Sequence, residues 1–404
     1  MRKLEVLSPA GDRERLMLAL TYGADAVYLA SERFGMRAAA GNFPAGGPLE
    51  EAIALCHARG VRVHVTCNTI LRNEDAAALP PFLEELEAAG ADAVIAADPG
   101  VIAMVKRYAP HTALHVSTQA GVASYAAANA FYDMGAARVI LARELTLEEI
   151  AGIRAKVPAA LELEVFVHGA MCMSFSGRCL LSNYLTGRDA NRGACAQPCR
   201  WKYHVVEEKR PGEYMELQQD REGTYIFNSR DLCMIDHLPA LMAAGVDSIK
   251  IEGRMKSAYY AGVVTNAYRH AADAAMAGQP LDPVWRDEVN KVSHREYSTG
   301  FFFDKNGPGE YHGSAMYISD CDVVAMVEDC DEAGNARLTQ RNKFYAGDAL
   351  ELLTPEGPPI PFTAEAIFDG EGNPIADTPH PMMALAMRLP VRAPKYAIVR
   401  KYKK

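Results

Sequence analysis

The chain has 404 residues and 44.0 kDa, with 42 basic and 51 acidic residues and a net charge of −9. Its 49% apolar and 23% charged content excludes a disordered, collagenous or fibrous chain. No run of about 18 apolar residues occurs, and the opening Met1-Arg-Lys-Leu-Glu-Val-Leu-Ser-Pro is too polar for a signal peptide. A cytoplasmic protein with no membrane contact is therefore expected.

Eight short apolar runs bounded by turn residues follow one another, at 5–9, 26–30, 61–68, 93–98, 114–119, 138–143, 161–168 and 248–252. Amphipathic stretches of about three turns lie between most of them, among them 12–22, 49–58, 123–134 and 146–156, and 259–276 follows the eighth. Gly-Ala-Asp-Ala-Val occurs at Gly23 and again at Gly90, each time with a glycine to end a helix before an apolar strand. Strand–helix alternation implies a parallel sheet, and eight units imply closure into an α/β fold of the (β/α)₈ TIM-like barrel type over residues 1–300. The rival open sheet would carry a glycine-rich phosphate turn after its first strand, where this chain has Ser8-Pro-Ala-Gly-Asp. The connection after strand 7, residues 169–247, is far longer than a crossover needs, and long loops on the C-terminal face of a barrel are usually functional. A hairpin is expected near 201–206, and 225–231 should lead into a helix. From about 315 to 404, short β-like runs such as 323–327 and 349–353 predict a small all-β, barrel-like domain.

Polar residues recur in the strands with a period of two: His64, Thr66 and Asn68; His115, Ser117 and Gln119; Glu164 and His168; Lys250, Glu252 and Arg254. With helices outside, this face points into the barrel, and the residues at the strand C-terminal ends should line a site. His168 and Glu252 are the candidates for proton transfer. Asn68, Gln119, Arg178, Arg230, Lys250 and Arg254 are the candidates for substrate binding, the cations among them for an anion. For Glu164 the competing expectation is an internal salt-bridge network without chemistry.

Nine cysteines in a cytoplasmic chain should be reduced. Four of them cluster as Cys172-x6-Cys179-x15-Cys195-x3-Cys199, a set that suits an iron–sulfur cluster or a zinc ion, with Cys233 as a substitute ligand. Arg178, Arg188, Arg192, Arg200 and Arg230 interleave with it. No H-E-x-x-H, G-x-S-x-G or Walker motif is present, so recognisable peptidase chemistry has no support. Residues 388–404 hold Arg388, Arg392, Lys395, Arg400, Lys401, Lys403 and Lys404 and no acid, interleaved with Tyr396 and Tyr402. This reads either as a solvated, frayed tail or as an RNA-contacting segment, with Arg388, Arg392, Lys395, Arg400 and Lys401 as its candidate contacts.

The blocks Phe166-Val-His-Gly-Ala-Met-Cys-Met-Ser-Phe-Ser-Gly-Arg-Cys and Gly193-Ala-Cys-Ala-Gln-Pro-Cys-Arg-Trp resemble the signature of the collagenase-like peptidase family U-32. Leu7-Ser-Pro-Ala-Gly, Gly23-Ala-Asp-Ala-Val-Tyr and Ser248-Ile-Lys-Ile-Glu-Gly-Arg-Met-Lys-Ser resemble its other hallmarks. Asn342-Lys-Phe-Tyr-Ala-Gly-Asp is similar to the branch of bacterial tRNA uridine-5-hydroxylation proteins. The resemblance covers nearly the whole chain. It implies oxygen-independent 5-hydroxylation of a wobble uridine, prephenate as hydroxyl donor, and a 4Fe–4S cluster on Cys172, Cys179, Cys195 and Cys199. The last cysteine is replaced in a ubiquinone-synthesis branch of the family, so Cys199 argues against that branch. The expected partners are tRNA, prephenate and a second subunit of the same family. The competing functions are a metal-dependent peptidase and, more weakly, a non-catalytic RNA-binding scaffold.

Overall fold

A computed structural model describes residues 3–36, 41–172, 174–201, 219–220, 223–224, 229–305 and 318–403. The hairpin expected near 201–206 and part of the segment 225–231 lie outside the described residues, as does Lys404.

Parallel pairing gathers the eight apolar runs into one closed sheet. Strands β1 (Glu5–Pro9), β2 (Ala26–Leu29), β3 (Arg62–Cys67), β4 (Ala93–Ala96), β5 (Ala113–Val116), β6 (Ala136–Ile140) and β7 (Glu162–Ala170) pair in chain order. A hairpin of β8 (Gln219–Asp220) and β9 (Gly223–Thr224) and a short strand β10 (Asp231–Cys233) come before β11 (Ser248–Ile251). β11 pairs with both β7 and β1 and closes the barrel. β10 lies antiparallel to the end of β7 and is joined by β12 (Tyr297–Ser298), an extension that the alternation of strands and helices does not announce.

Helices α1 (Arg13–Thr21), α2 (Gly47–His57), α3 (Asn73–Ala88), α4 (Pro99–Tyr108), α5 (Tyr125–Asp133) and α6 (Leu147–Arg154) cover the outside. α7 (Leu181–Thr186) belongs to the long connection, and α8 (Leu238–Ala243), α9 (Ala258–Met276) and α10 (Pro283–Asn290) complete the layer. Most start on a side chain that accepts from the first turn: Asp12, Asp98, Ser124, Thr146, Ser257 and Asp282. The repeated Gly-Ala-Asp has a structural cause. Gly23 and Gly90 take φ of +90° and +78° to leave the helix. The aspartate two residues later then accepts from the N–H of the strand before it, Asp25 from Val6 at 2.9 Å and Asp92 from Val63 at 2.8 Å. Gly245-Val-Asp repeats the device, with Asp247 accepting from Leu163 at 2.9 Å.

A second sheet is wholly antiparallel. It comprises β13 (Cys321–Cys330), β14 (Asn335–Gln340), β15 (Ala349–Leu353), β16 (Ile360–Thr363), β17 (Ile367–Asp369), β18 (Pro374–Ile375), β19 (Ala384–Arg388) and β20 (Ile398–Tyr402), in the order β16-β15-β20-β13-β14-β19-β17-β18. The basic segment is therefore not a frayed tail, because β20 sits between β13 and β15. Arg400 is a correction to the expected RNA contacts. Its side chain is fully buried against Glu288 at 2.6 Å, Glu351 at 2.8 Å and the Tyr259 hydroxyl at 3.0 Å, and it joins this sheet to α9 and α10. The Tyr22 hydroxyl donates to the Leu353 carbonyl at 2.9 Å across the same junction.

Candidate functional site

Inside the barrel, the half nearer the strand N-termini is filled by charge. Arg138 bonds Glu5 at 2.5 Å, Glu164 at 2.7 Å and Glu162 at 2.6 Å. Arg62 also pairs with Glu5, and Lys250 Nζ lies 3.1 Å from Glu164 Oε1 and over the ring of Tyr28. Three carboxylates thus meet three cations. Burial pushes the Glu5 carboxyl up, but the Arg138 guanidinium outweighs it and holds Glu5 down at about 2. Burial likewise opposes Lys250 and Arg138 at Glu164, which stays below the usual carboxylate range. His64 and His115 stack edge to face at 4.7 Å in this interior. Burial takes His64 to about 3 and His115 well below its usual value, so both are neutral. Glu164 is therefore part of an internal network. Lys250, expected to hold an anion, is buried and committed to Glu164.

Polar neighbours replace this charge ladder toward the strand C-terminal ends. Asn68 Nδ2 donates to Gln119 Oε1 at 2.7 Å, and Arg178 Nε reaches across to the Gln119 carbonyl at 2.6 Å. Arg254 is buried and donates to Thr66 Oγ1 at 3.1 Å and to Asn42 Oδ1. Glu252 faces Arg143, whose Nη2 lies 3.7 Å from Glu252 Oε2 and whose guanidinium covers the Phe166 ring at 3.7 Å. The structure thus brings Asn68, Gln119 and Arg178 together, places Arg254 on Thr66 of the same strand end, and adds Arg143, Asn42 and Phe166. Arg143 closes the sixth apolar run, but its neighbours in sequence gave no period that marked it. Lys250, Glu252 and Arg254 each have a partner on another strand or loop: Glu164, Arg143 and Thr66. Arg230 stands at the start of β10 with its Nε 3.7 Å from Glu296.

His168 requires a correction. Lys250 pairs with Phe166, but Ile251 pairs with His168, so β7 carries one extra residue there. The bulge reverses the alternation and turns His168 outward, against Tyr260 and Tyr268 of α9. Its ring nitrogens meet the hydroxyls of Tyr268 at 3.3 Å and Tyr297 at 3.2 Å, and burial pulls its pKa down to about 3. It is a neutral packing residue and not a proton donor at the mouth. Gly169 follows with φ +102°, and a Cβ there would strike the Glu252 carbonyl.

The cysteine segment crosses the mouth. Ser176 is held by Glu144 beyond β6, with its N–H at 2.7 Å. Arg178 is held at the end of β5, and Ile70 beyond β3 donates to the Asn191 carbonyl at 3.3 Å. Arg192 pairs with Asp75 of α3. Cys172 and Cys195 are exposed, Cys179 and Cys199 half-buried. The N–H of Leu181 points at Cys179 Sγ and that of Gln197 at Cys195 Sγ, both at 3.3 Å. Burial raises the Cys199 thiol, Arg200 opposes that, and the other three thiols of the set raise it further. Four cysteines on one segment, two of them facing amide donors, fit a metal centre held by thiolates. Cys233 is half-buried in β10, opposite His168 and beside the Tyr268 hydroxyl. Among the described residues, Glu5, His64 and Glu164 form the one set of metal-ligating types with its ligand atoms all within 4.8 Å.

An eight-stranded parallel barrel, capped at its C-terminal mouth by a four-cysteine segment and followed by an antiparallel sheet, defines the class. The chain belongs to peptidase family U32, whose model matches residues 11–312, and the family's C-terminal domain matches 319–400. It is 38% identical over 423 residues to "tRNA hydroxylation protein P" of Escherichia coli (strain K12), covering 93% of this chain and 92% of that protein. It is 35% identical over 397 residues to "tRNA hydroxylation protein P1" of Bacillus subtilis (strain 168), covering 96% and 92%. A third relative, "Collagenase" of Porphyromonas gingivalis (strain ATCC BAA-308 / W83), is 34% identical over 310 residues, covering 74% and 73%. No helix among the described residues is long and apolar enough to cross a membrane.

Proposed function

We propose that this chain is a tRNA-modifying enzyme that hydroxylates the wobble uridine at its 5-position without oxygen, with prephenate as hydroxyl donor. The observation that carries the reading is the cysteine segment clamped over a polar barrel mouth. Relatives that match nine-tenths of the chain and are named for tRNA hydroxylation support it. Cys172, Cys179, Cys195 and Cys199 would hold a 4Fe–4S cluster. When bound, such a cluster supplies electron transfer or an iron site for an oxygen ligand. The residues of the chain do the rest. Prephenate carries two carboxylates, and Arg254, beside Thr66, and Arg178, beside the Gln119 carbonyl, would offer guanidinium forks to them. Asn68 and Gln119 offer amides for a hydroxyl or a carbonyl. Glu252, beside Arg143, is the mouth carboxylate that can hold or release a proton at Oε2.

The test is anaerobic turnover of iron-loaded protein with an unmodified tRNA transcript and prephenate, followed by nucleoside mass spectrometry. The reading expects uridine that has gained one oxygen atom, dependent on prephenate. An intact cluster with no oxygenated uridine, together with release of peptides from collagen, overturns it. The peptidase alternative has the collagenase relative behind it. Its metal candidate, Glu5 with His64 and Glu164, is sealed inside the barrel and its carboxylates are taken by Arg138 and Lys250.

A further inference from the structure

In the basic segment 388–404, Arg388 is exposed at the end of β19 and most of the other cations have acidic neighbours. Arg392 pairs with Glu332, Lys395 with Glu328 at 3.2 Å, Lys401 with Asp348 at 3.4 Å and Lys403 with Asp322 at 3.7 Å, while Arg400 is buried. A different combination is found on the cysteine segment. Residues 171–201 contain four arginines and one aspartate, in a chain of net charge −9. Arg188 is exposed and its Nε donates to the Ala194 carbonyl at 3.1 Å, while Arg178 donates to the Gln119 carbonyl. Both are oriented by neutral acceptors.

Large apolar side chains accompany these cations. Tyr184 on α7 is 85% exposed, Leu180 one turn before it is 74% exposed, and Trp201, two residues after Cys199, is 43% exposed. α7 is fixed in place: Ser182 is buried and its hydroxyl accepts from the Ala196 N–H at 2.9 Å, which ties the helix to the second cysteine pair. A rigid element that presents an aromatic ring almost wholly to solvent beside oriented guanidinium groups matches what unpaired nucleotides need. Every base has a face to stack, and every phosphate accepts from a fork. A duplex hides its base faces, so the match is to a single-stranded loop, and a base must leave its stack to enter a barrel.

We propose that the exposed face of α7, with Tyr184 and Trp201 as stacking platforms and Arg188 as a phosphate ligand, receives a single-stranded RNA loop and delivers one base to the barrel mouth. This rests on the reading of the chain as a tRNA-hydroxylating enzyme. The experiment measures binding of an unmodified tRNA transcript to full-length, iron-loaded protein by fluorescence anisotropy across a salt titration. Tyr184→Ala should weaken binding about tenfold. Tyr184→Phe should restore it and Tyr184→Leu should not, because leucine keeps apolar area but has no π face. Arg188→Ala should flatten the salt slope by about 0.7, and the double variant Arg392→Ala, Lys395→Ala should change binding less than Tyr184→Ala does.

If Tyr184→Leu binds as tightly as Tyr184→Phe, the face is an apolar protein-docking surface and the proposal falls. If wild type hydroxylates tRNA but Tyr184→Ala and Arg188→Ala bind it normally, the surface is wrong and the enzymatic reading stands. If wild type neither binds nor modifies the transcript, both fall together.

Discussion

Replacing Arg138 by methionine isolates the charge network in the barrel. Arg138 is 1% exposed and serves Glu5, Glu164 and Glu162. Methionine keeps much of the stem volume but supplies none of the donors. Three carboxylates then face only Arg62 and Lys250, and breaking a buried pair of this kind costs about 3–5 kcal/mol. The net shift of Glu5, to which Arg62 also contributes, is of the same order. Glu5 is held at about 2 against an ordinary 4.5, and that difference converts to about 3 kcal/mol. Its sign is that of a depressed carboxylate: the contribution is complete above 4.5 and is lost as pH falls toward 2. In the variant burial prevails, Glu5 and Glu164 rise, and protonation relieves the uncompensated charge. The stability gap between wild type and Arg138→Met should therefore be widest near neutrality and should narrow as pH falls toward 5. Urea unfolding followed by circular dichroism at several pH values reads the gap directly. Adding Glu164→Gln to the variant should recover part of the loss. A gap under about 1 kcal/mol, or one that stays constant with pH, would refute the account of the network, because exposed pairs behave that way.

Cys172→Ala or Cys195→Ala should abolish the visible absorbance of an anaerobically reconstituted iron–sulfur centre while leaving the barrel folded, since both side chains are exposed. Stoichiometric zinc without iron in the wild type would sink that expectation. His168→Gln loses contacts to two phenols and should cost about 1–3 kcal/mol of stability. It should leave hydroxylation per folded molecule and its pH profile intact, and a tenfold or greater fall in rate with the fold preserved would return His168 to the chemistry.

The barrel was legible because its signal is local and repeated. The run predicted at 5–9 is β1 to the residue, and the other seven differ from the observed strands by a few residues at their ends. His168 misled because period-two reasoning assumes an unbroken ladder, and the bulge opposite Lys250 and Ile251 has no marker that short-range pattern can read. Arg400 misled for a related reason. In sequence it stands among cations, and its partners Glu288 and Glu351 lie 112 and 49 residues away. A charge run is read as solvated unless something distant claims it, and β20 is claimed from both sides. Arg138 went unnoticed because it is the single charge in the middle of its strand, and its three acids sit on β1 and β7.

The same contacts distinguish the two ends of the barrel interior. In the lower interior every ionised group has an opposite charge within hydrogen-bond reach, and three acids balance three bases. Such a network is rigid and already satisfied, so it has little to offer a ligand. The mouth is assembled differently. Arg254 donates to an amide and a hydroxyl, Arg178 to a main-chain carbonyl, and Arg143 to the Ala170 carbonyl at 3.0 Å while its Nη2 lies 3.7 Å from Glu252. The bulge at His168 contributes to the division. By turning that imidazole into the α9 layer it leaves Phe166 as the last inward side chain of β7 before Gly169, and Arg143 lies over its ring. An anion entering below the four thiols would therefore meet arginines already oriented, which reduces the ordering cost of binding.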